Sequence, residues 1–553
     1  MLAHPTEPFS WTRQESAARL TEFEAASDSQ RQFERDSGVP RTTLQHWLTR
    51  KAQLASDKVI VAFFESPEGT SFLHRLQTAL FFVFDFVTSA GLRRIGCFLD
   101  LAGLSAFTAS SFGSCQRVSK EMEAAVAAFA KSQRDELAPK MPPRKITLCE
   151  DETFHPEICL VAIEPVSDFI VVETHSEKRD AASWNKAVET ALQGLPVTVR
   201  QSTSDEAKGL LAHAKDGLGA HHSPDVFHIQ QELSRATSVG LASQARQAQE
   251  VVAQATAALE ECKLAEGQWH ATPHNPGRPP DFEERLRQAH KLQQEALSAR
   301  ETAQNLQELA KEAIRGVSQA YHPVDLTTGK VQSAADVEKQ LKERFAEVKA
   351  VAKAANLPER CEKGIRKAER LVAAMVSTVA FFHAEVMEQI NTLELPPEVK
   401  EELRARRISA AYLKAASGKA KGAEARKELE GRAAQLRKES DEALAKWGLS
   451  AEQQEAVKQV GEDCVEIFQR SSSCVEGRNG QLSLRHHSLH RLSKQRLEAL
   501  TATHNYFVKR PDGTTAAERF FRNKPADLFE HLVNRMELPA RPAKKRPRPP
   551  QLH

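Results

Sequence analysis

KITLCEDETFHPEICLVAIEPVSDFIVVE, Lys145–Glu173, is the stretch where the pattern of this chain changes. Three short runs rich in β-branched residues, Ile146–Glu150, Ile158–Ile163 and Phe169–Glu173, are separated by the turn residues His155-Pro156 and Pro165–Asp168. They predict a three-strand meander. Just before it, PKMPPRK (Pro139–Lys145) reads as a linker. Just after it, Asp180–Leu192 carries Trp184, Val188 and Leu192 on one helical face. Val197–Gln201 predicts a fourth strand, Ser204-Asp205 leads into a helix from Glu206, and Val226-Phe227 reads as a very short fifth strand. The expected order is β-β-β-α-β-α-β.

Asp151 stands where the first predicted strand ends, and Asp205 follows the fourth. Glu476 in SSSCVEGRNGQLS (Ser471–Ser483) opens a later helix. Three carboxylates at such positions suit phosphoryl transfer assisted by two Mg²⁺ or Mn²⁺ ions, which neutralise charge on phosphate and activate water. Mg²⁺ takes oxygen ligands and keeps several waters, so few carboxylates suffice. Asp205 lies 54 residues after Asp151, room for two strands, a helix and another strand. Glu476 lies 271 residues after Asp205. Each assignment has a neighbour that competes with it. Glu150 and Glu152 flank Asp151, Asp205 could be a helix N-cap, and Glu462, Asp463 and Glu466 precede Glu476.

The interval before Glu476 is helical in character. Residues 230–470 are rich in Ala, Leu, Glu, Gln, Lys and Arg, all good helix formers. Two arms, Ile229–Trp269 and Phe282–Arg315, flank the Pro-rich break HATPHNPGRPP and predict an antiparallel hairpin. Asp281 and Glu284 form a capping pattern at the second arm. Phe282, Leu286, Ala289, Leu292, Ala296, Ala299, Ala303, Leu306, Ala310 and Ala313 recur along it at heptad-like steps. A second helical group, Ala335–Arg470, is broken near Pro358, Pro396-Pro397 and Gly418–Gly422.

The chain has 553 residues, enough for several domains, and a net charge of +2. From Arg485 onward, fifteen Lys and Arg stand against six Asp and Glu, a basic C-terminal region. Eight cysteines lack the spacing of a zinc site or a disulfide framework, which predicts a reducing, cytoplasmic setting. The apolar run Ala79–Val87 contains Asp85 and is too short to span a bilayer, so no membrane association is expected.

Residues 1–70 predict a helix, Arg13–Ala26, then a helix-turn-helix capped at Ser27 or Asp28, turning at Ser37–Val39 and restarting at Pro40. Leu44, Trp47 and Leu48 would face inward. Arg41, Thr42, Thr43, Gln45 and His46 would face outward, where they suit base edges and phosphates. Residues 71–140 are again helical, with a second such pattern turning at Gly103. Residues 141–229 form the first part of the strand-rich core and 471–535 the second, with a basic tail at 536–553 predicted to be disordered.

The element order is that of a ribonuclease H-like α/β core, here split by a large all-α insertion and preceded by an all-α helix-turn-helix region. CEDETFHPEICLVAIEPVSDFIVVE, QSTSDEAKGLL, SPDVFHI and SSSCVEGRNGQLSLRHH resemble the motifs of DDE transposases of bacterial insertion sequences. The helical insertion resembles that of hAT-like members by type and position. The resemblance covers about residues 144–229 and 471–526, and it implies Asp151, Asp205 and Glu476 as catalytic, metal-binding residues. Several superfamilies of this kind carry Cys or Asp, two residues, then His between the second Asp and the Glu. Asp225 and His228 match that pattern, with a structural histidine as the plainer alternative. The implied reaction is hydrolysis at element ends to free a 3′-hydroxyl, followed by its attack on target DNA. The implied partners are terminal inverted repeats, target DNA and at least one further copy of the chain, in association with the bacterial nucleoid. Arg478 and Arg485 would contact phosphates or form a solvated basic face. The alternatives are an inactive, domesticated DNA-binding scaffold or another ribonuclease H-like nuclease.

Overall fold

The computed structural model describes residues 11, 13–49, 51, 58–273, 277–489 and 491–537. Residues 538–553 of the tail predicted to be disordered, and His274–Pro276 of the hairpin break, lie outside these. The fold is an α/β core with large helical parts, divided into two compact units, 1–142 with 480–553 and 143–479.

In the first unit the helices Arg13–Ala26, Gln30–Ser37 and Arg41–Thr49 enclose Leu20, Phe33, Val39, Leu44 and Trp47. The cap of the second helix is Ser29, whose hydroxyl accepts from Gln32 N, rather than Ser27 or Asp28. Gly38 ends that helix at φ +70°, a conformation glycine adopts without penalty. Arg41, Thr42, Gln45 and His46 are exposed as the helical spacing predicts, whereas Thr43, also expected to face outward, is half-buried next to buried Leu44. Further on, Leu92–Leu101 and Phe112–Leu137 flank the turn at Gly103, also at positive φ.

The C-terminal helices belong to this unit, so the predicted second core segment, 471–535, divides at Gly480. The reason is a buried charge cluster. Arg496 donates to both carboxylate oxygens of Asp85 at 2.9 and 2.7 Å, reaches Glu123 at 3.2 Å, and lies over the Phe86 ring. Asp85 therefore sits in the apolar Ala79–Val87 run as the partner of a buried arginine, which makes both charges tolerable.

In the second unit five strands, β1 (Arg144–His155), β2 (Glu157–Glu164), β3 (Phe169–Ser176), β4 (Val197–Ser204) and β5 (His221–Pro224), form one sheet in the order β3-β2-β1-β4-β5. β1–β2 and β2–β3 pair antiparallel, while β1–β4 and β4–β5 pair parallel. β1 is longer than predicted, so Asp151 lies inside the strand opposite Val161 and not at its end. The fifth strand is His221–Pro224. Val226 and Phe227 instead open a helix, because Asp225 caps it by accepting from Phe227 N at 2.8 Å.

Alternation along β1, and a register shift of β4 against it between Ile146/Val199 and Thr147/Gln201, give the sheet two different faces. On one, Ile146, Leu148 and Val199 pack with Trp184, Val188 and Leu210 from the helices Ala181–Leu192 and Lys208–Ala212. On the other, Thr147, Cys149, Gln201 and Thr203 meet the chain as it returns from the helical block.

That block begins with the predicted hairpin, Val226–Ala271 and Phe282–Ala320. At 1.5 Å per residue its arms reach about 70 and 60 Å. Ala289, Ala296, Ala310 and Ala313 are buried along the second arm, whereas Leu292 and Ala299 of the predicted seam face outward. Further helices run from Ala334 to Ile467. Glu359–Asn391 is long and apolar enough to cross a membrane. Within it Met375, Val379, Phe382 and Val386 enter the core, while Glu385 holds Arg200 of β4 and Lys145 of β1.

Candidate metal centre

Side chains of the open sheet face guide the returning chain. Thr147 donates to the carbonyl of Ile467 at 2.6 Å and the Cys149 thiol to that of Ser471 at 3.6 Å. The Gln201 amide grips the backbone of Gln469 from both sides. Its Nε2 donates to the carbonyl at 2.6 Å, and its Oε1 accepts from the N–H at 2.8 Å. The extended segment between the Ala451–Ile467 and Ser473–Leu489 helices thus completes its hydrogen bonds on strand side chains.

A second anchor lies at Asp225. One carboxylate oxygen caps the Val226–Ala271 helix, the other accepts from the Ser472 hydroxyl, and Val226 N donates to the Arg470 carbonyl at 3.0 Å. A third is Arg478, whose guanidinium donates two bonds of 2.6 Å to the carboxylate of Glu173 on β3, both side chains being buried. The Ser473–Leu489 helix is continuous through Gly477 and Gly480.

These anchors bring three groups together. Ligand atoms of Asp151, His228 and Glu476 lie within 4.8 Å of one another, although Glu476 follows Asp151 by 325 residues. His228 Nε2 is 3.5 Å from a Glu476 oxygen and 3.8 Å from Asp225 Oδ2. Asn479, one helical turn after Glu476, donates to Asp151 Oδ2 at 2.9 Å. The competing acids are elsewhere. Glu150 and Glu152 point to the opposite face of β1, where they meet His213 and Trp184. Glu466 pairs with Arg144, and Asp463 accepts from Gln459.

Asp205 is not one of the three clustered groups. It follows β4, and its Oδ1 accepts from Ala207 N at 2.9 Å in the turn before the next helix, whose N-cap is Ala207. Its charge still reaches Asp151. Burial, then the Glu476 carboxylate, pushes the Asp151 carboxyl up to about 7, with Asp205 adding and His228 opposing.

The arrangement fits a divalent cation. Acidic groups are crowded where their mutual repulsion is costly, and His228 Nε2 and Asn479 Oδ1 are buried without a hydrogen-bond partner. Oxygen donors with one imidazole suit Mn²⁺ or Mg²⁺ better than a thiolate-preferring metal.

Two expected DNA contacts are not available. Arg478 is the buried partner of Glu173. Arg485 donates to the carbonyls of Asp85 and Phe86 within the first unit, which end a π-helical turn and otherwise lack helix partners. Sequence reasoning did not assign a role to Asn479, although its i+3 spacing from Glu476 places both on one helix face. It also missed Glu150, which is fully buried, 3.0 Å from His213 Nε2 and bonded by the Ser202 hydroxyl. A cavity of about 710 Å³ lined by Lys330, Glu401, Arg406 and Arg432 lies in the helical block, away from this site.

No curated protein and no solved structure matches the chain. Residues 403–548, which include Glu476 but neither Asp151 nor Asp205, match a family of unknown function, DUF6399.

Proposed function

We propose that this chain is a DDE-type transposase that cleaves DNA at the ends of its own element and joins them to target DNA. The observation that carries the reading is the convergence of Asp151, Glu476 and His228 within 4.8 Å from distant parts of the chain. The strand order β3-β2-β1-β4-β5, with a parallel second half, supports a ribonuclease H-like core. The resemblance of the four motifs supports transposition over other nuclease chemistry.

Asp151 and Glu476 would hold the divalent cation, with Asp205 contributing from the end of β4. When bound, the cation neutralises charge developing on the phosphate and favours deprotonation of the attacking group. Asn479 fixes the Asp151 carboxylate by donating to Oδ2, which orients its free lone pairs. Asp225 holds Ser472 and the start of the helix that carries His228. His228 faces the carboxylates with an unsatisfied Nε2 that can donate to a phosphate oxygen. Hydrolysis frees a 3′-hydroxyl, and the same groups then serve its attack on a second phosphodiester. Arg41, Thr42, Gln45 and His46 present donors for DNA recognition on an exposed helix face. Joining two ends requires at least two copies of the chain.

The test uses purified protein, Mg²⁺ or Mn²⁺, and DNA carrying the sequences that flank its gene. Cleavage at those flanks that disappears in Asp151→Asn, Asp205→Asn and Glu476→Gln, while DNA binding persists, is the expected result. Metal-dependent cleavage equal to wild type in the triple variant overturns the reading.

A further inference from the structure

The turn at Gly103 joins two helices of the first unit, Leu92–Leu101 and Phe112–Leu137, whose exposed side is basic. From Leu92 to Lys120 the chain holds four Lys and Arg against one acid. The four, Arg93, Arg94, Arg117 and Lys120, are all exposed. The acid, Asp100, accepts from the Ser110 hydroxyl at 3.0 Å. Among the described residues none of the four cations is held in an ion pair, whereas Arg75 of the same unit pairs with Glu530. Local stability favours the opposite charge at this place. Arg93 and Arg94 are the second and third residues of their helix, where the positive end of the macrodipole disfavours cations. Neither helix carries an acid in its first turn. Unpaired cations kept there in water suit an anion from outside the chain. Packing holds the face rigid. Ile95, Leu99, Cys115, Val118 and Met122 are buried between the helices and the core. Gly96 lies so near the Ser110 carbonyl that a Cβ would come within 2.9 Å of it. Arg93 lies 5.8 Å over the Phe112 ring, which is 52% exposed. Gly113, Gln116, Arg117 and Lys120 are exposed at helical steps of three and four residues, on one side of their helix.

We propose that this face is a second docking surface for duplex DNA, with the first turns of the Phe112–Leu137 helix in the major groove and Arg93 and Arg94 on the phosphates. DNA as the partner rests on the function proposed above, whereas the basic face itself does not depend on the metal centre. A helix with its side chains is about 10–12 Å across, which matches the roughly 12 Å major groove of B-form DNA. The major groove of A-form RNA is too narrow to admit it. Arg117 suits the acceptors of guanine, Gln116 the edge of adenine, and the exposed Phe112 ring a thymine methyl. The ten residues between the two helices exceed the about three or four of a helix-turn-helix, so the charge and exposure of the face carry the inference and not the motif.

The experiment measures binding of the full-length protein to a short labelled DNA duplex, and to an RNA duplex of the same sequence, by fluorescence anisotropy at increasing NaCl. Each phosphate contact contributes about 0.9 to the slope of log affinity against log salt, and therefore about eightfold in affinity at ~0.1 M salt. Arg93→Gln with Arg94→Gln should lower the slope by about 1.8 and weaken DNA binding about 60-fold at that salt. Adding Arg117→Gln and Lys120→Gln should lower both further. Arg93→Lys with Arg94→Lys keeps the charges and should keep the wild-type slope. Melting temperatures of all these variants should match wild type, because the side chains are exposed. Unchanged affinity and slope in the four-residue variant refute the surface. Equal affinity for the RNA duplex, with the same losses, refutes B-form DNA as the partner. If DNA binding falls as expected while wild-type protein never cuts DNA with Mg²⁺ or Mn²⁺, the docking surface stands and the proposed transposase activity falls.

Discussion

Arg478 gives the sharpest separation between a surface and a buried role. As a phosphate contact, its loss would weaken DNA binding and leave stability alone. In the structure its side chain is 7% exposed and that of Glu173 is 0%, joined by two bonds of 2.6 Å. Arg478→Met strands a buried carboxylate, which costs about 3–5 kcal/mol. With an m-value of roughly 3 kcal/mol per molar urea for a unit of this size, the midpoint falls by about 1–1.7 M. Urea unfolding followed by circular dichroism checks this, and the shift belongs to the transition of the 143–479 unit. Glu173→Leu combined with Arg478→Met removes both charges and should recover most of the loss, because replacing a buried pair by apolar groups is often near neutral. An unchanged midpoint in Arg478→Met, with DNA affinity lowered and its salt dependence reduced by about one unit of slope, would refute the buried-pair account.

The other predictions address the site and the N-terminal helices. Asp151 is raised to about 7 from an ordinary value near 4. The native state therefore holds its proton more tightly than the unfolded chain. Stability should decline as pH rises from about 4 to about 7, by on the order of 4 kcal/mol at full effect, and stay low above that. Melting temperatures in EDTA across this range should show the decline, Asp151→Asn should flatten it, and Mn²⁺ should oppose it at pH 8. Asn479→Ala removes the donor to Asp151 Oδ2, so cleavage should fall about tenfold to a hundredfold with DNA affinity retained; equal cleavage in a filter of initial rates would count against its orienting role. Arg41→Ala with Gln45→Ala should reduce DNA binding without moving the melting temperature, whereas Trp47→Ala should lose about 3–5 kcal/mol from the N-terminal helices, as their burial requires.

Much of the fold was readable locally. The meander, the Asp180-capped helix, the helical hairpin and the Leu44–Trp47 core all follow from period, turn residues and caps. Errors came where a local signal had two meanings. Val226 and Phe227 are β-branched and aromatic, but the capping bond of Asp225 turns them into the start of a helix. Leu292 fits a heptad by count, yet the arms' actual crossing leaves it 60% exposed. The basic run after Glu476 reads as a solvated face, yet Arg478, Arg485 and Arg496 find carboxylates or carbonyls.

By itself the sequence determined which residue types were available for metal chemistry, the order of strands and helices, and the presence of a long helical interval before Glu476. Those features depend on neighbours within a few residues. The tertiary structure decided which of several acids meet. Strand register turns Asp151 to one face and Glu150 and Glu152 to the other, and side chains of Thr147, Cys149 and Gln201 steer the chain back so that Glu476 arrives beside Asp151. Contacts across 325 residues leave no local period to read, because they are fixed by hydrogen bonds that exist only once the sheet and the returning segment have packed together.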